Sequence, residues 1–146
     1  EDTIDRAAHH AELARRPSNT DELRLHGWHQ DADRFGDLAL YGADAEELQA
    51  LMEDRPDLRE PLDERLPIRG AQVVWAARHE MARTVEDVLA RRTRCLLLDA
   101  QASIDVAPRV AELMAEERDL PSSWADDQVD AFTEVASNYL MPSLTS

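Results

Sequence analysis

The sequence predicts an all-α domain, a compact bundle of about five or six helices preceded by an extended leading segment. Three observations carry that prediction. Apolar residues recur at helical spacing through most of the chain. Alternation of β-branched residues is nearly absent. The four glycines and seven prolines fall between the periodic segments rather than inside them.

Residues 1–16 are helix-compatible, with Ile4, Ala7, Ala8, Ala11 and Ala14 forming a weak apolar face. Pro17 is expected to end this helix, because the residue before a proline is pushed out of the α region. So poor a stripe implies a neighbour that this chain lacks. Residues 18–29 read as extended, with a brief alternation at Leu23-Arg24-Leu25, and a short helix is expected over residues 31–40, ending at Tyr41-Gly42. Asp44 with Glu47 has the spacing of a capping box, predicting a helix to about Asp54 that buries Leu48, Leu51 and Met52. Residues 55–67 carry Pro56, Pro61 and Pro67 and read as a connecting loop too polar for a core of its own.

Residues 68–98 are the most informative. At 100° per residue Val74, Ala77, Met81, Val85 and Val88 share one stripe, with Glu80, Arg83, Asp87 and Arg91 opposite. Arg83–Asp87 and Asp87–Arg91 stand at i,i+4 spacing. One unbroken helix would turn Arg78 and Arg92 into the apolar stripe. Alternatively Thr84 caps a second helix with Asp87 at its third position. Both readings stand at this point. Beyond Leu96–Leu98, Asp99 is placed to cap a turn through Ile104. Asp105 is expected to open a further helix with Pro108 in its first turn, where a missing N–H costs nothing, and with Val106, Val110, Leu113 and Met114 inward. After Pro121, Ser122 or Ser123 should cap a last helix to about Leu140, burying Trp124, Val129, Phe132, Val135, Ala136 and Tyr139. Pro142 and the Ser/Thr tail then end the order.

Charge narrows the function classes. There are 31 acidic and 16 basic residues, a net charge of −15, and every basic residue is arginine. Such a surface repels nucleic-acid phosphate and anionic lipid headgroups, so neither is an expected partner. A GC-rich genome or a salt-rich cytoplasm would each account for the missing lysine. No run approaches the length of apolar residues that spans a bilayer, and no signal-peptide pattern occurs, so direct membrane insertion is not expected. The opening Glu1-Asp2-Thr3, without an initiator methionine, points to an excised or processed piece. Cys95 stands alone before three leucines, which predicts a buried inert thiol in a reducing cytoplasm.

Few residues suggest a site. His9-His10 and the His26/His29 pair lack a third ligand, and Gly27 undermines helical pairing, so no metal site is expected. The acidic pairs Asp31/Asp33, Asp63/Glu64 and Asp126/Asp127 lack the glycine and ligand spacing of a calcium loop and read as solvated faces. Glu86 and Asp87 diverge by about 100° on a helix and so do not share an acid–base site; pairing with Arg83, Arg91 or Arg94 fits them better. The candidate set is therefore structural: Arg78, Glu80, Arg83, Glu86, Asp87, Arg91, Arg92 and Arg94. It serves either as an internal salt-bridge network or, through Arg78, Arg92 and Arg94, as a docking surface.

The run Ala76-Ala77-Arg78-His79-Glu80-Met81-Ala82-Arg83-Thr84-Val85-Glu86-Asp87-Val88-Leu89-Ala90-Arg91-Arg92-Thr93-Arg94 closely resembles the C-terminal domain of aerobic, FAD-dependent glycerol-3-phosphate dehydrogenases and the related glycerophosphate oxidases. The likeness continues through Leu97-Leu98-Asp99-Ala100 and Ala107-Pro108-Arg109-Val110-Ala111, and upstream at Leu25-His26-Gly27 and Leu38-Ala39-Leu40-Tyr41-Gly42.

The resemblance implies a non-catalytic C-terminal accessory domain of an oxidoreductase. Its parent converts sn-glycerol 3-phosphate to dihydroxyacetone phosphate and passes electrons through FAD to quinone. It further implies residues 1–17 as the last helix of the flavin domain, 18–30 as linker, 31–142 as the C-terminal helical domain and 143–146 as tail. The flavin domain of the same chain is the implied partner, with a second subunit as a further one. The implied location is cytoplasmic, with the parent enzyme peripheral on the inner face of the cytoplasmic membrane. No dinucleotide fingerprint is present, so catalytic and cofactor residues are expected outside this piece and FAD only in the parent. The alternative reading is an independent acidic helical protein-interaction module.

Overall fold

A computed structural model describes residues 2–14 and 20–140. The residues fall into two compact units, Glu1–Ala43 and Asp44–Ser146. The architecture is all-α. Six α-helices occur among the described residues, and the β pairing there is one isolated bridge between Pro61 and Arg69. No described helix is long and apolar enough to cross a membrane.

In the first unit α1 spans Asp2–His10. It stops well before Pro17, which lies outside the described residues. Glu12 takes a left-handed φ of 54°, while the Leu13 and Glu12 amides close back onto the Ala8 and His9 carbonyls. That is a Schellman ending with glutamate where glycine is usual. Ile4 and Leu13 stay exposed. The expected helix at residues 31–40 is instead 3-10 helical over Ala32–Asp44, kinked at Gly36 and Gly42. Gly42 has φ +54°, and a Cβ there would lie 1.7 Å from the Gly27 carbonyl oxygen. The Ala43 amide donates to that same oxygen at 3.0 Å. Leu25-His26-Gly27 and Tyr41-Gly42, separate in sequence, thus meet in one glycine-on-glycine contact.

The second unit begins with α2, Ala45–Asp54. Asp44 has helical φ and ψ (−72° and −14°) and makes no capping bond, so the extended N-cap geometry that a capping box needs is absent. Leu48 is buried, Leu51 and Met52 only partly. Residues 55–69 do more than connect: Leu58 and Leu66 are buried there. Leu58 packs so closely on the start of α3 that a Cβ on Gly70 would lie 2.9 Å from its side chain. Arg65 ties this loop down by pairing with Asp63 and with Asp105, and its hydrogen bonds bring the Asp63 carboxyl down to about 2.

Helix α3, Gly70–His79, is buried on every side from Gly70 to Ala77, as small and apolar residues all round require of a central helix. The short α4 is Cys95–Leu98. Helix α5 runs unbroken over Ala100–Glu117, correcting the expected split at Asp105. Asp99 caps it, accepting from the Ala102 amide at 2.8 Å. Pro108 therefore sits mid-helix rather than in a first turn. Val106, Val110, Leu113 and Met114 are buried as expected. Helix α6, Ser122–Ser137, has Pro121 at its N-cap and no serine cap. It buries Phe132 and Ala136 against α5, whereas Tyr139 lies past its end and is exposed. Full burial of Phe132 contributes roughly 1.5–3 kcal/mol. Helix α5 is the hub, packed against α3, α4 and α6.

Candidate functional site

The run from Ala76 to Arg94 is a corner, not one helix. Helix α3 ends at His79, where the Glu80 and Ala82 amides both reach the Ala76 carbonyl and Met81 turns left-handed at φ 56°. The turn throws Met81 outward, 74% exposed, although the wheel places it in the apolar stripe. Val74, Ala77, Val85 and Val88 are buried. A second helical segment starts at Thr84. Its hydroxyl accepts from the Asp87 amide at 3.1 Å, and the Asp87 carboxylate accepts from the Thr84 amide at 3.0 Å. This reciprocal capping box is the second of the two readings left open by the sequence. The Arg83 amide donates to the same carboxylate at 2.9 Å. Residues Asp87–Arg92 then widen into a π-helical turn, with the Thr93 amide and hydroxyl both closing on the Val88 carbonyl. Arg94, left-handed at φ 58°, starts α4.

The candidate residues divide into local sets. Arg91 donates to Asp87 at 2.6 Å and to Glu86 at 2.7 Å from its two terminal nitrogens. The adjacent carboxylates thus do converge, because a forked guanidinium spans their divergence. Arg92 folds back across the break, donating to the Glu80 carbonyl at 2.7 Å with the Glu80 carboxylate 3.7 Å away. Arg78 clasps Glu117 of α5 with both prongs, one at 2.9 Å. It is part-exposed rather than turned into the core. Arg83 and Arg94 make no ion pair among the described residues; the Arg83 contribution is through its backbone.

Three residues outside the candidate set complete the corner. Arg118, at the end of α5, donates to the Arg83 carbonyl at 2.8 Å and lies over the Trp124 ring. Gln128 of α6 accepts from the Val85 amide at 3.3 Å. Glu117 holds Arg78. All three are 35 or more residues from the corner residues they hydrogen-bond, Arg78, Val85 and Arg83, so no local pattern marks those bonds. Electrostatics follow the geometry. Burial would push the Asp87 carboxyl up, but the hydrogen bonds from Arg83, Thr84 and Arg91 outweigh it and hold it below the usual range. Burial pushes the Glu80 carboxyl up, against the nearby Arg92. Hydrogen bonding to Glu117 raises Arg78.

The remaining suggestive residues are accounted for individually. Among the described residues no three His, Cys, Asp or Glu side chains gather as a metal-holding group. His29 accepts from the Asp31 amide at 3.0 Å and meets the Phe35 ring edge-on. His79 stacks on Trp75. Cys95 is a buried free thiol whose pKa burial raises.

This corner, with its two flanks, lies inside the segment that known proteins share. Residues 30–128 match the family described as the C-terminal domain of alpha-glycerophosphate oxidase. A glycerol-3-phosphate dehydrogenase of Synechocystis is 28% identical over 105 residues, taking in 72% of this chain and 19% of that protein. The mitochondrial glycerol-3-phosphate dehydrogenase of Schizosaccharomyces pombe is 32% identical over 74 residues, 51% of this chain and 11% of that protein. Its counterpart in Mesocricetus auratus is 35% identical over 74 residues, 51% of this chain and 10% of that protein. The chain thus spans about a fifth or less of the length of these relatives. No solved structure matches it. With the family match extending over more than half of its residues, the chain belongs to the family of the C-terminal domain of alpha-glycerophosphate oxidase.

Proposed function

We propose that this chain is the non-catalytic C-terminal helical domain of an FAD-dependent glycerol-3-phosphate dehydrogenase, serving domain packing, stability or partner contacts. The parent oxidises sn-glycerol 3-phosphate to dihydroxyacetone phosphate, with electrons leaving through FAD to quinone. FAD and the substrate belong to the preceding flavin domain. Residues 1–17 are read as the end of that domain, 18–30 as linker, 31–142 as the accessory domain and 143–146 as tail. The parent works in the cytoplasm, peripheral to the inner face of the membrane.

The observation that carries this reading is the family match over residues 30–128 onto a segment whose carboxylates at the corner are spent on structural partners. Glu80, Glu86, Asp87 and Glu117 all face arginines. Arg78 and Arg92 are likewise engaged within the unit, which supports a bracing role for them and leaves Arg94 as the candidate for docking.

The test is expression of the full reading frame beside the 146-residue chain. The full product is expected to be yellow and to reduce a quinone analogue with glycerol 3-phosphate; the chain alone should be colourless and inactive. Turnover by the chain alone overturns the division of labour. A reading frame that starts close to Glu1 would favour the independent acidic module instead.

A further inference from the structure

We infer that Met81 is a reversible oxidation site, its thioether taking one oxygen atom from a small hydroperoxide without cost to the fold. Four methionines occur in the chain, Met52, Met81, Met114 and Met141. Met114 is fully buried on the inner face of α5, and Met52 is half-buried on α2. Met81 is 74% exposed; Met141 lies outside the described residues. The exposure of Met81 is set by the backbone, because its neighbours are pinned on both sides. The Glu80 amide reaches the Ala76 carbonyl, and the Glu80 carbonyl accepts from Arg92 at 2.7 Å. The Ala82 amide closes on the same Ala76 carbonyl at 3.0 Å, and Ala82 is fully buried. Arg83 is held at its amide by Asp87 and at its carbonyl by Arg118. Between these fixed points Met81 takes φ 56°, which glycine would adopt without strain. The turn directs its side chain away from the buried stripe of Val74, Ala77, Val85 and Val88.

The thioether is polarisable and uncharged, so it reacts without an activating base, and access decides which methionine is oxidised. A sulfur lone pair attacks one oxygen of the hydroperoxide, and the S–O bond forms as the O–O bond breaks. Sulfur loses two electrons and the peroxide gains them. The proton left on the transferred oxygen goes to the departing oxygen, so hydrogen peroxide leaves as water. The product is a polar sulfoxide. At Met114 its oxygen would lie among apolar side chains, where an unpaired polar group is costly. At Met81 water solvates it and the core is untouched. A hydroperoxide is small and uncharged, so the net charge of −15, which repels anionic oxidants, does not exclude it. The same exposure opens the product to a methionine sulfoxide reductase, which makes the oxidation reversible.

The test treats the full-length polypeptide carrying Met141→Leu with hydrogen peroxide and follows the gain of one oxygen, peptide by peptide, by mass spectrometry. Met81 is expected to oxidise about tenfold faster than Met114, and ahead of Met52. In strong denaturant the three should react at one rate, because the fold alone separates them. Methionine sulfoxide reductase should restore the original mass at Met81 without unfolding. Peroxide treatment should lower the unfolding midpoint no more in this protein than in the variant that also carries Met81→Leu. Equal rates in the folded state overturn the proposal, as does a Met81 sulfoxide that resists the reductase or lowers the midpoint beyond that variant. Fast oxidation of Met81 in the 146-residue chain but not in the full-length polypeptide overturns it as well, and shows Met81 to be covered by the rest of the polypeptide.

Discussion

The Thr84–Asp87 capping box decides whether the most family-like stretch is one helix or two, and its cost can be worked from the bonds. Thr84→Ala removes the hydroxyl that accepts from the Asp87 amide, a loss of about 1 kcal/mol for an N-cap. Asp87→Ala removes acceptors for the Arg83 and Thr84 amides. Charge-assisted bonds to a half-buried carboxylate are each worth about 1–1.5 kcal/mol net, which gives roughly 2–3 kcal/mol. The Arg91 pair, with its guanidinium half exposed, adds only about 0.3–0.5 kcal/mol. The two side chains act on each other's backbone, so the double variant should lose less than the sum of the singles. The sign with pH follows from the depressed Asp87 carboxyl. Its stabilisation is complete above the unfolded value of about 3.9 and disappears as pH falls through the lower folded value. Urea unfolding followed by far-UV circular dichroism, at pH 7 and then stepwise below pH 4, measures both. Asp87→Ala within about 0.5 kcal/mol of the parent at pH 7 refutes the box, as does a loss that persists unchanged at the acid end.

Other positions test other parts of the description. Pro108 lies mid-way along α5, where it removes a bond to the Ile104 carbonyl and crowds it, so Pro108→Ala is expected to stabilise by about 1–3 kcal/mol in thermal unfolding; destabilisation would show that α5 begins near Asp105 after all. Gly42→Ala should expose the Ala43 amide to exchange, because its Cβ meets the Gly27 backbone, adding a lost bond to strain of about 1–3 kcal/mol. Gly36→Ala, at a similar φ but with open space around it, should show the strain without the exchange; equal exchange at Ala43 in both variants would sink the contact. Arg92→Lys should cost about 1 kcal/mol, since an ammonium cannot reach the Glu80 carbonyl and carboxylate with a planar fork. Arg91→Lys, on an exposed pair, should stay within about 0.5 kcal/mol, and equal effects in urea titrations of the two would refute the distinction.

Much of the fold was legible because helix starts and apolar faces are local. The spacing marks Asp99 as a cap, though of a short turn rather than of the whole of α5, and leaves Thr84 as one of two open readings. The inner face of α5 follows from its period. The starts expected at Asp44, Asp105 and Ser122 or Ser123 do not form as such. Helix α2 ends at Asp54 as expected, but several other helix ends were not legible, for a physical reason. A left-handed residue closes a helix most cheaply as glycine, yet here Glu12, Met81, Arg94 and Asp119 hold positive φ. With no glycine to mark the stops, the first helix read too long and Met81 read as core. The loop at 55–69 hid its role because Leu58 and Leu66 are isolated apolar residues among charges, and only α3 shows what they fill. Pro108 misled in the other direction, since neighbours on both faces of α5 hold the helix through a residue that local propensity would use to begin one.

The arginine-only composition acquires a structural meaning at these unmarked stops. A helix closed by a non-glycine residue leaves backbone carbonyls that need donors. Arg92 donates to the Glu80 carbonyl where α3 ends, and Arg118 to the Arg83 carbonyl just before the second segment starts. Arg69 donates to the Arg59 carbonyl in the loop that leads into α3. Two of these guanidinium groups also meet a second group, the Glu80 carboxylate beside Arg92 and the Trp124 ring beneath Arg118. A lysine offers one point charge and no planar face for such double duty. The corner is therefore held by side chains that satisfy backbone and charge at once from part-exposed positions, while the net charge of −15 follows from 31 acidic residues against 16 arginines. Arg83 and Arg94 stand apart from this pattern: both are exposed, and neither makes an ion pair among the described residues.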